Sequence, residues 1–177
     1  MLKKILFYGL IAGLVAGGAL SFIVLGFADS EASHSMVVGY LTMLIAFTAV
    51  FVGIKRYRDV DLGGVVRFWP AFGMGVAMSV VAGILYVAAW ETSLAVTGTD
   101  FAGGYANTLI EQQKANGVSG DELATYVAEM EKFKTQYANP LFRLPMTFVE
   151  IFPVGVLVSL VSAGLLRNRR FLAVRRD

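Results

Sequence analysis

The sequence predicts an all-α, polytopic membrane protein with four transmembrane helices and an extracytoplasmic helical hairpin between the third and the fourth. Three observations indicate this fold. Of the 177 residues, 56% are hydrophobic and only 16% are charged, which is too few polar residues for the surface of a soluble domain. Four apolar runs are long enough to cross a membrane. Basic residues lie beside alternate ends of these runs, as in multi-pass proteins.

The four apolar runs cover residues 5–27, 36–54, 70–95 and 142–166. Each can cross about 30 Å of hydrocarbon as an α-helix. Inside lipid a helix satisfies its own backbone hydrogen bonds, and the runs lack the alternating pattern of barrel strands. We therefore interpret residues 1–177 as a single membrane domain that carries an insertion at residues 96–141.

The first run also resembles a secretory signal peptide, because Lys3 and Lys4 precede it and a Gly-Phe-Ala sequence ends it. Its apolar part is longer than the roughly 7–15 residues of a signal-peptide core. We expect the run to remain in the protein as a transmembrane helix. Cleavage is the alternative, and it would leave three helices in an otherwise unchanged topology.

The distribution of basic residues predicts the orientation in the membrane. Of the 15 Lys and Arg residues, 11 lie before the first run, between the second and third, or after the fourth. The other four are Lys114, Lys132, Lys134 and Arg143. Because cytoplasmic loops carry the excess of Lys and Arg, we expect both termini in the cytoplasm and residues 96–141 outside.

Residues 96–141 form a polar region that predicts two helices, at 100–116 and 120–138. Asn116 and Gly117 break the first helix, and Asn139 with Pro140 ends the second. Apolar residues recur at helical spacing in both. Two such helices joined by a short turn are expected to fold back on each other. Because their core is small, we expect the hairpin to lean on the membrane surface or on a partner.

Small residues recur four apart on one face in three of the predicted transmembrane helices. This spacing allows two helices to approach closely. One interpretation is homodimerisation through the first helix. The other is packing inside one four-helix bundle, which we favour because three helices carry a stripe. The residues are Gly9, Gly13, Gly17, Gly75, Ser79, Gly83, Gly155, Ser159 and Ala163.

Glu150 is the one carboxylate in the fourth run. An ionisable group inside a transmembrane helix is costly, which makes it a candidate functional residue by default. Arg143, Glu91 and His34 are expected at a similar level, so the four residues form a candidate intramembrane polar site for a proton, a cation or a headgroup amine. The alternative, which we favour, is that Glu150 holds helices together through hydrogen bonds.

Lys55, Arg56 and Arg58 follow the second run, and Trp69 precedes the third. A cation near an anionic membrane surface contributes about 1 kcal/mol, and Trp is typical of the membrane–water interface. These four residues are candidates for binding lipid headgroups. Ordinary anchoring at the membrane surface is the interpretation that we favour.

The sequence shows no recognisable catalytic or cofactor site. It contains no Cys and one His, which excludes disulfides, thiolate ligands and His-based metal clusters. No nucleophile lies in a catalytic motif. We therefore expect no catalytic residue, no metal, no cofactor and no enzymatic activity. The formal net charge is only +2, so we expect no nucleic-acid partner.

Several segments resemble one known family. They are GYLTM at 39–43, FVGIKRYRD at 51–59, NPLFR at 139–143 and TFVEIFPVG at 147–155, with Trp90 near the end of the third run. Together they resemble the bacterial membrane family catalogued as domain of unknown function 4199, over nearly the whole chain. The resemblance implies four membrane helices with a helical outer insertion between the third and the fourth. It implies no activity, cofactor or site residue.

The expected role is a non-enzymatic packing or partner-binding subunit of a bacterial cytoplasmic (inner) membrane, since the resemblance is to a bacterial membrane family. Its expected contacts are membrane lipids and either a second copy in a homo-oligomer or a membrane-protein partner. The alternative is a small transporter or proton-linked carrier that uses Glu150. Glu150→Gln separates the two, because packing tolerates this isostere and proton coupling does not.

Overall fold

The computed structural model describes residues 1–26, 36–98 and 100–173. In these residues it contains six α-helices, one π-helical turn and no strand, which confirms the all-α class. The helices are α1 (Leu2–Gly26), α2 (Met36–Arg56), α3 (Phe68–Thr97), α4 (Phe101–Ala115), α5 (Gly120–Tyr137) and α6 (Pro140–Leu166), and the π turn is Tyr57–Asp61.

Four of these helices are long and apolar enough to cross a membrane. They are α1, α2 with its π turn, α3 and α6, and their mean hydropathies lie between 2.0 and 2.3. α3 and α6 each begin two residues before the predicted start, at Phe68 and Pro140. Residue 27, the predicted end of the first span, lies outside the described residues. The four apolar helices suggest a multi-pass membrane protein.

The chain forms two compact units. The first consists of Met1–Ser93 and Thr147–Asp177, and it holds α1, α2 and most of α3 and α6. The second is Leu94–Met146, which holds α4 and α5. Each unit has a packing of its own.

In the first unit, the glycine stripe of α1 lies against α3. A methyl group added at Gly9, Gly13 or Gly17 would lie only 2.7–2.8 Å from a side-chain carbon of α3. The residues of α3 that supply these carbons are Val81, Leu85 and Ala89. Because ordinary carbon contacts lie at about 3.5–4.0 Å, these glycines allow the two backbones to approach closely. The small-residue stripe of α1 is therefore already packed against another helix of the same chain.

A second contact between small residues joins α3 to α6. A methyl group at Gly75 would lie 2.6 Å from Oγ of Ser159, and one at Gly155 would lie 2.6 Å from Ser79. Ser79 and Ser159 are fully buried, with hydroxyl oxygens 3.4 Å apart. Each hydroxyl also donates to the carbonyl oxygen four residues earlier, so both remain satisfied in an apolar interior. Ala163, one turn beyond Ser159, is fully buried too.

Large side chains of α2 fill the space beside this contact. Phe47, Val50 and Ile54 have no exposed surface. A methyl group at Gly155 would lie 2.8 Å from the Phe47 ring, and one at Gly75 would lie 3.1 Å from Ile54. α2 therefore packs against both α6 and α3.

The second unit is a helical hairpin, as predicted. Asp100 caps α4, because its Oδ1 accepts a hydrogen bond from the backbone N–H of Gly103 at 2.8 Å. The turn after α4 contains Gly117 at φ 87°, a left-handed conformation that favours glycine. Aromatic side chains pack between the two helices: the ring centroids of Tyr105 on α4 and Phe133 on α5 lie 5.9 Å apart.

Candidate functional site

Glu150 and Tyr86 form a hydrogen bond between two apolar helices of the first unit. The Tyr86 hydroxyl on α3 donates to Oε1 of Glu150 on α6 over 3.2 Å. Tyr86 is only 4% exposed, whereas Glu150 is exposed at the surface of the chain. Both residues lie roughly 15 Å from the nearer end of their helix, at 1.5 Å per residue.

The hydrogen bond depends on a close approach of α3 to α6. Gly83 lies about one turn before Tyr86, and a methyl group there would lie 2.6 Å from the ring of Phe148. Phe148 stacks on Phe152, with ring centroids 5.1 Å apart. Gly83 thus leaves room for an aromatic side chain of α6, and Tyr86 can reach the Glu150 carboxylate.

Glu150 belongs to an exposed strip of α6 that also contains Pro153, Leu157 and Val161, which we call the Glu150 face. These positions share one side of the helix, and all four are exposed. Leu157 is 57% exposed and Val161 is 53% exposed. Ile151, by contrast, is fully buried in the core. The carboxylate is therefore set in an apolar surface of an apolar helix.

The side chains of Glu150 and Tyr86 can bind a polar group or a cation. A carboxylate beside a tyrosine hydroxyl can accept hydrogen bonds, take up a proton or pair with a cation. The Tyr86 hydroxyl uses one of about four acceptor positions on a carboxylate, so the exposed side of Glu150 can accept a further donor. In the part of the chain that the structure describes, no group of three or more His, Asp or Glu residues could hold a metal ion.

Three residues were predicted to lie near the Glu150 carboxylate, and the structure describes two of them. Glu91 is half-buried on α3. Arg143, in the second unit, donates to the carbonyl oxygen of Tyr137 over 3.2 Å and lies 5.7 Å from the centre of its ring. His34 lies outside the described residues. The grouping of these side chains around the carboxylate stays a prediction.

Tyr86 is the partner that sequence reasoning missed. A single tyrosine in an apolar run belongs to no motif. Depth along the helices could have found it, because Tyr86 lies 11 residues before the end of α3 and Glu150 lies 10 residues after the start of α6. Residues at equal depth on antiparallel helices are the ones that can meet.

Arg58 departs from its predicted role as a surface anchor, because it is fully buried. It lies in the π turn that continues α2. Its guanidinium donates to the carbonyl oxygens of Leu166, Phe171 and Leu172 over 3.4, 2.9 and 3.1 Å. Carbonyl groups at a helix C-terminus lack partners within the helix and carry partial negative charge. Leu166 is the last residue of α6, and Phe171 and Leu172 lie in the segment that follows it. Arg58 therefore connects the π turn to the end of α6 and to this segment, and it has no exposed surface.

The other predicted anchoring residues are nearer the surface. Lys55 is half-buried and pairs with Asp59 over 2.7 Å. Asp59 also accepts a hydrogen bond from Nε of Arg58 at 2.6 Å. Arg56 is exposed, and Trp69 is 75% exposed. Headgroup binding or anchoring by these surface residues stays a prediction.

Comparison with known proteins identifies the family. The family model described as Protein of unknown function (DUF4199) matches residues 7–168, which is nearly the whole chain. The chain belongs to this family. The resemblance inferred from the sequence is thereby confirmed. No curated protein and no solved structure matches the chain.

In this DUF4199 protein, the matched range includes the Glu150–Tyr86 pair and the buried Arg58. The family description assigns no activity to either feature. Function has to be argued from their geometry.

Proposed function

We propose that this DUF4199 protein is a non-enzymatic, partner-binding subunit of a bacterial cytoplasmic membrane, and that a helix of another membrane protein covers its Glu150 face. The observation that carries this proposal is the exposed carboxylate in an apolar helix. A charged side chain at the centre of a bilayer costs about 2.5–3.5 kcal/mol on insertion scales. A partner helix with a hydroxyl, amide or basic group at that depth would offset part of this cost.

The proposed contact surface is α6 and not α1. The glycines of α1 already lie against α3, which argues against homodimerisation through that stripe. The apolar residues of the Glu150 face are exposed and suit contact with another apolar helix.

In the proposed topology, both termini lie in the cytoplasm and the hairpin of α4 and α5 lies outside. The distribution of Lys and Arg along the chain supports this orientation. The Glu150–Tyr86 pair then lies in the outer half of the membrane.

The test compares three forms of the protein, extracted in particles of native lipid and weighed by native mass spectrometry. The forms are wild type, Glu150→Leu and the control Glu129→Leu, which replaces an exposed carboxylate of the hairpin. We expect a stoichiometric partner chain on the wild type and on the control, and its loss from Glu150→Leu. A photo-crosslinker at Leu157 is expected to reach this partner. The same group at Ile84, which is 59% exposed on α3, is expected not to do so.

Two results would contradict the proposal. One is a wild-type protein that is monomeric in its own lipids. The other is rapid modification of Glu150 in native membranes by a lipid-soluble carbodiimide, because a partner helix packed over the carboxyl group would block access of that reagent. If the partner proves to be a second copy of this chain, the Glu150 face is still the interface, and the protein forms a homo-oligomer.

The second candidate function is a proton-linked carrier, which the hydrogen bond from Tyr86 to Glu150 favours. A carboxylate that gains and loses a proton within a membrane is typical of such carriers. Glu150→Gln retains a hydrogen-bonding side chain that does not titrate. Loss of proton-coupled uptake in this variant, with its assembly unchanged, would favour the carrier over the subunit.

A further inference from the structure

We propose that α1 and α2 form a binding site for one anionic glycerophospholipid, with an acyl chain in the groove between the two helices and the phosphate at basic residues beyond one end of the groove. The site lies on helices other than the one that carries the Glu150 face. It is independent of the proposed subunit function.

The first part of this site is an apolar groove of about 390 Å³. Its lining includes Tyr8, Ile11 and Val15 of α1 and Ile45, Ala49 and Val52 of α2. Seven residues on each helix correspond to a length of about 10 Å. The volume falls within the range of roughly 300–1,000 Å³ that is usual for ligand sites.

The groove offers little to a polar ligand. The hydroxyl of Thr48, which also lines it, donates to the carbonyl oxygen of Ile45 over 2.6 Å and is therefore satisfied within α2. Both walls belong to helices that are long and apolar enough to cross a membrane. In that setting, hydrocarbon chains are the molecules that surround the groove.

The second part of the site is a set of basic residues one helical turn beyond the groove. Lys4 precedes Tyr8 by four residues on α1, and Arg56 follows Val52 by four residues on α2. A spacing of four keeps each cation on the groove side of its helix. The N-terminal part of α1 and the C-terminal end of α2 are also linked by the ion pair of Lys4 with Asp61. Both cations therefore lie at the same end of the groove.

The charge at this end is positive. Lys4 and Lys55 are paired with Asp61 and Asp59. Arg56 is exposed, and among the described residues it has no ion-pair partner. Its guanidinium can bind a phosphate through two parallel hydrogen bonds. Arg56 is thus the residue that we assign to the lipid phosphate.

An anionic phospholipid matches both parts of the site at once. Its chain covers apolar walls within the membrane, and its phosphate meets the basic end at the headgroup level. A zwitterionic lipid carries a cation of its own to the same place, so the basic end favours it less. The site should therefore select lipids by the charge of the headgroup.

The charge selection can be tested on the purified full chain in detergent. Phosphatidylglycerol and phosphatidylcholine with identical acyl chains are added at equal concentration, and bound lipid is counted by native mass spectrometry. We expect several-fold more phosphatidylglycerol on the wild type. Arg56→Gln should lower this preference about fivefold, the value that corresponds to about 1 kcal/mol for one cation near the surface. The control Arg67→Gln removes another exposed arginine and should leave the preference unchanged.

The groove is tested with Ala49→Leu, which fills it, against Ala88→Leu, which adds the same bulk at an exposed position of α3. Bound lipid should fall several-fold in Ala49→Leu and remain at the wild-type level in Ala88→Leu. A hundredfold excess of glycerol 3-phosphate, which has the phosphate without chains, should not displace the lipid.

Three results would overturn the proposal. They are equal retention of the two lipids by the wild type, equal effects of Arg56→Gln and Arg67→Gln, and full lipid binding by Ala49→Leu. Because Arg56 is exposed, the first pair of variants decides the question even if Ala49→Leu fails to fold.

Discussion

The contact between α3 and α6 can be tested by adding one methyl group at two positions of the same helix. At Gly155 the methyl group would lie 2.6 Å from Cβ and Oγ of Ser79 and 2.8 Å from the Phe47 ring. At Gly164 it would meet no atom within 4 Å. We expect Gly155→Ala to destabilise the first unit and Gly164→Ala to leave it intact.

The expected magnitude follows from these distances. Ordinary carbon contacts lie at about 3.5–4.0 Å, so the neighbours of a methyl group at Gly155 must move by about 1 Å. Cβ of Ser79 is bonded directly to the backbone and is fully buried, so α3 itself has to shift. Overpacking of this kind costs about 1–3 kcal/mol, and the better helix propensity of Ala offsets at most about 1 kcal/mol. Because Gly164→Ala gains the same helix propensity, we expect Gly155→Ala to have a free energy of unfolding about 1–3 kcal/mol lower than that of Gly164→Ala.

The assay is reversible unfolding in mixed micelles. A rising fraction of a denaturing detergent unfolds the helices, and circular dichroism measures the loss of helix content. Gly164→Ala, the matched control, should be as stable as the wild type or more stable by up to about 1 kcal/mol. Equal free energies of unfolding for the two variants would refute the reasoning, because α3 and α6 could not then be in close contact at Gly155.

Two further predictions concern the buried arginine and the topology. Arg58→Ala should lower the free energy of unfolding by about 3–5 kcal/mol, because it removes one of the two donors to Asp59 and takes the guanidinium away from three carbonyl oxygens. Arg58→Lys should restore only part of this loss, since one ammonium cannot match the geometry of the guanidinium. In this cysteine-free chain, single cysteines at Ser119 and Arg67 should react with a membrane-impermeant maleimide from opposite sides, Ser119 from outside and Arg67 from the cytoplasm.

Each of these predictions has a control and a contradicting outcome. Arg56→Ala removes a neighbouring arginine that is exposed, and a loss of stability equal to that of Arg58→Ala would show that burial of Arg58 is unimportant. Permeabilised membranes show whether both cysteines are reactive. Labelling of Ser119 and Arg67 from the same side would exclude the proposed topology.

The helices could be predicted because they depend on local properties of the chain. A segment in lipid has to satisfy its backbone groups within itself, so the length of each apolar run located α3 and α6 to within two residues at their starts. In the hairpin, turn residues placed α4 and α5 to within one residue at each end. Those residues, such as Gly117 at φ 87°, act on their own backbone.

The burial of Arg58 could not be predicted in this way. A basic residue that follows an apolar run is interpreted as an anchor at the membrane surface, and Arg56 does lie at the surface of the protein. The three carbonyl oxygens that accept from Arg58 lie 108 to 114 residues away in the sequence. The π turn that carries it has a different residue spacing from an α-helix, so helical periodicity does not show where its side chain points.

The sequence by itself determined that Glu150 lies inside an apolar helix, because this follows from the position of the residue in the run. Only the tertiary structure decided which way the carboxylate faces. The packing of Gly155 and Ser159 against α3 sets the rotation of α6 about its axis. That rotation buries Ile151 and leaves Glu150 exposed beside the Tyr86 hydroxyl. Rotation of a helix depends on contacts with distant segments, whereas its length and polarity do not.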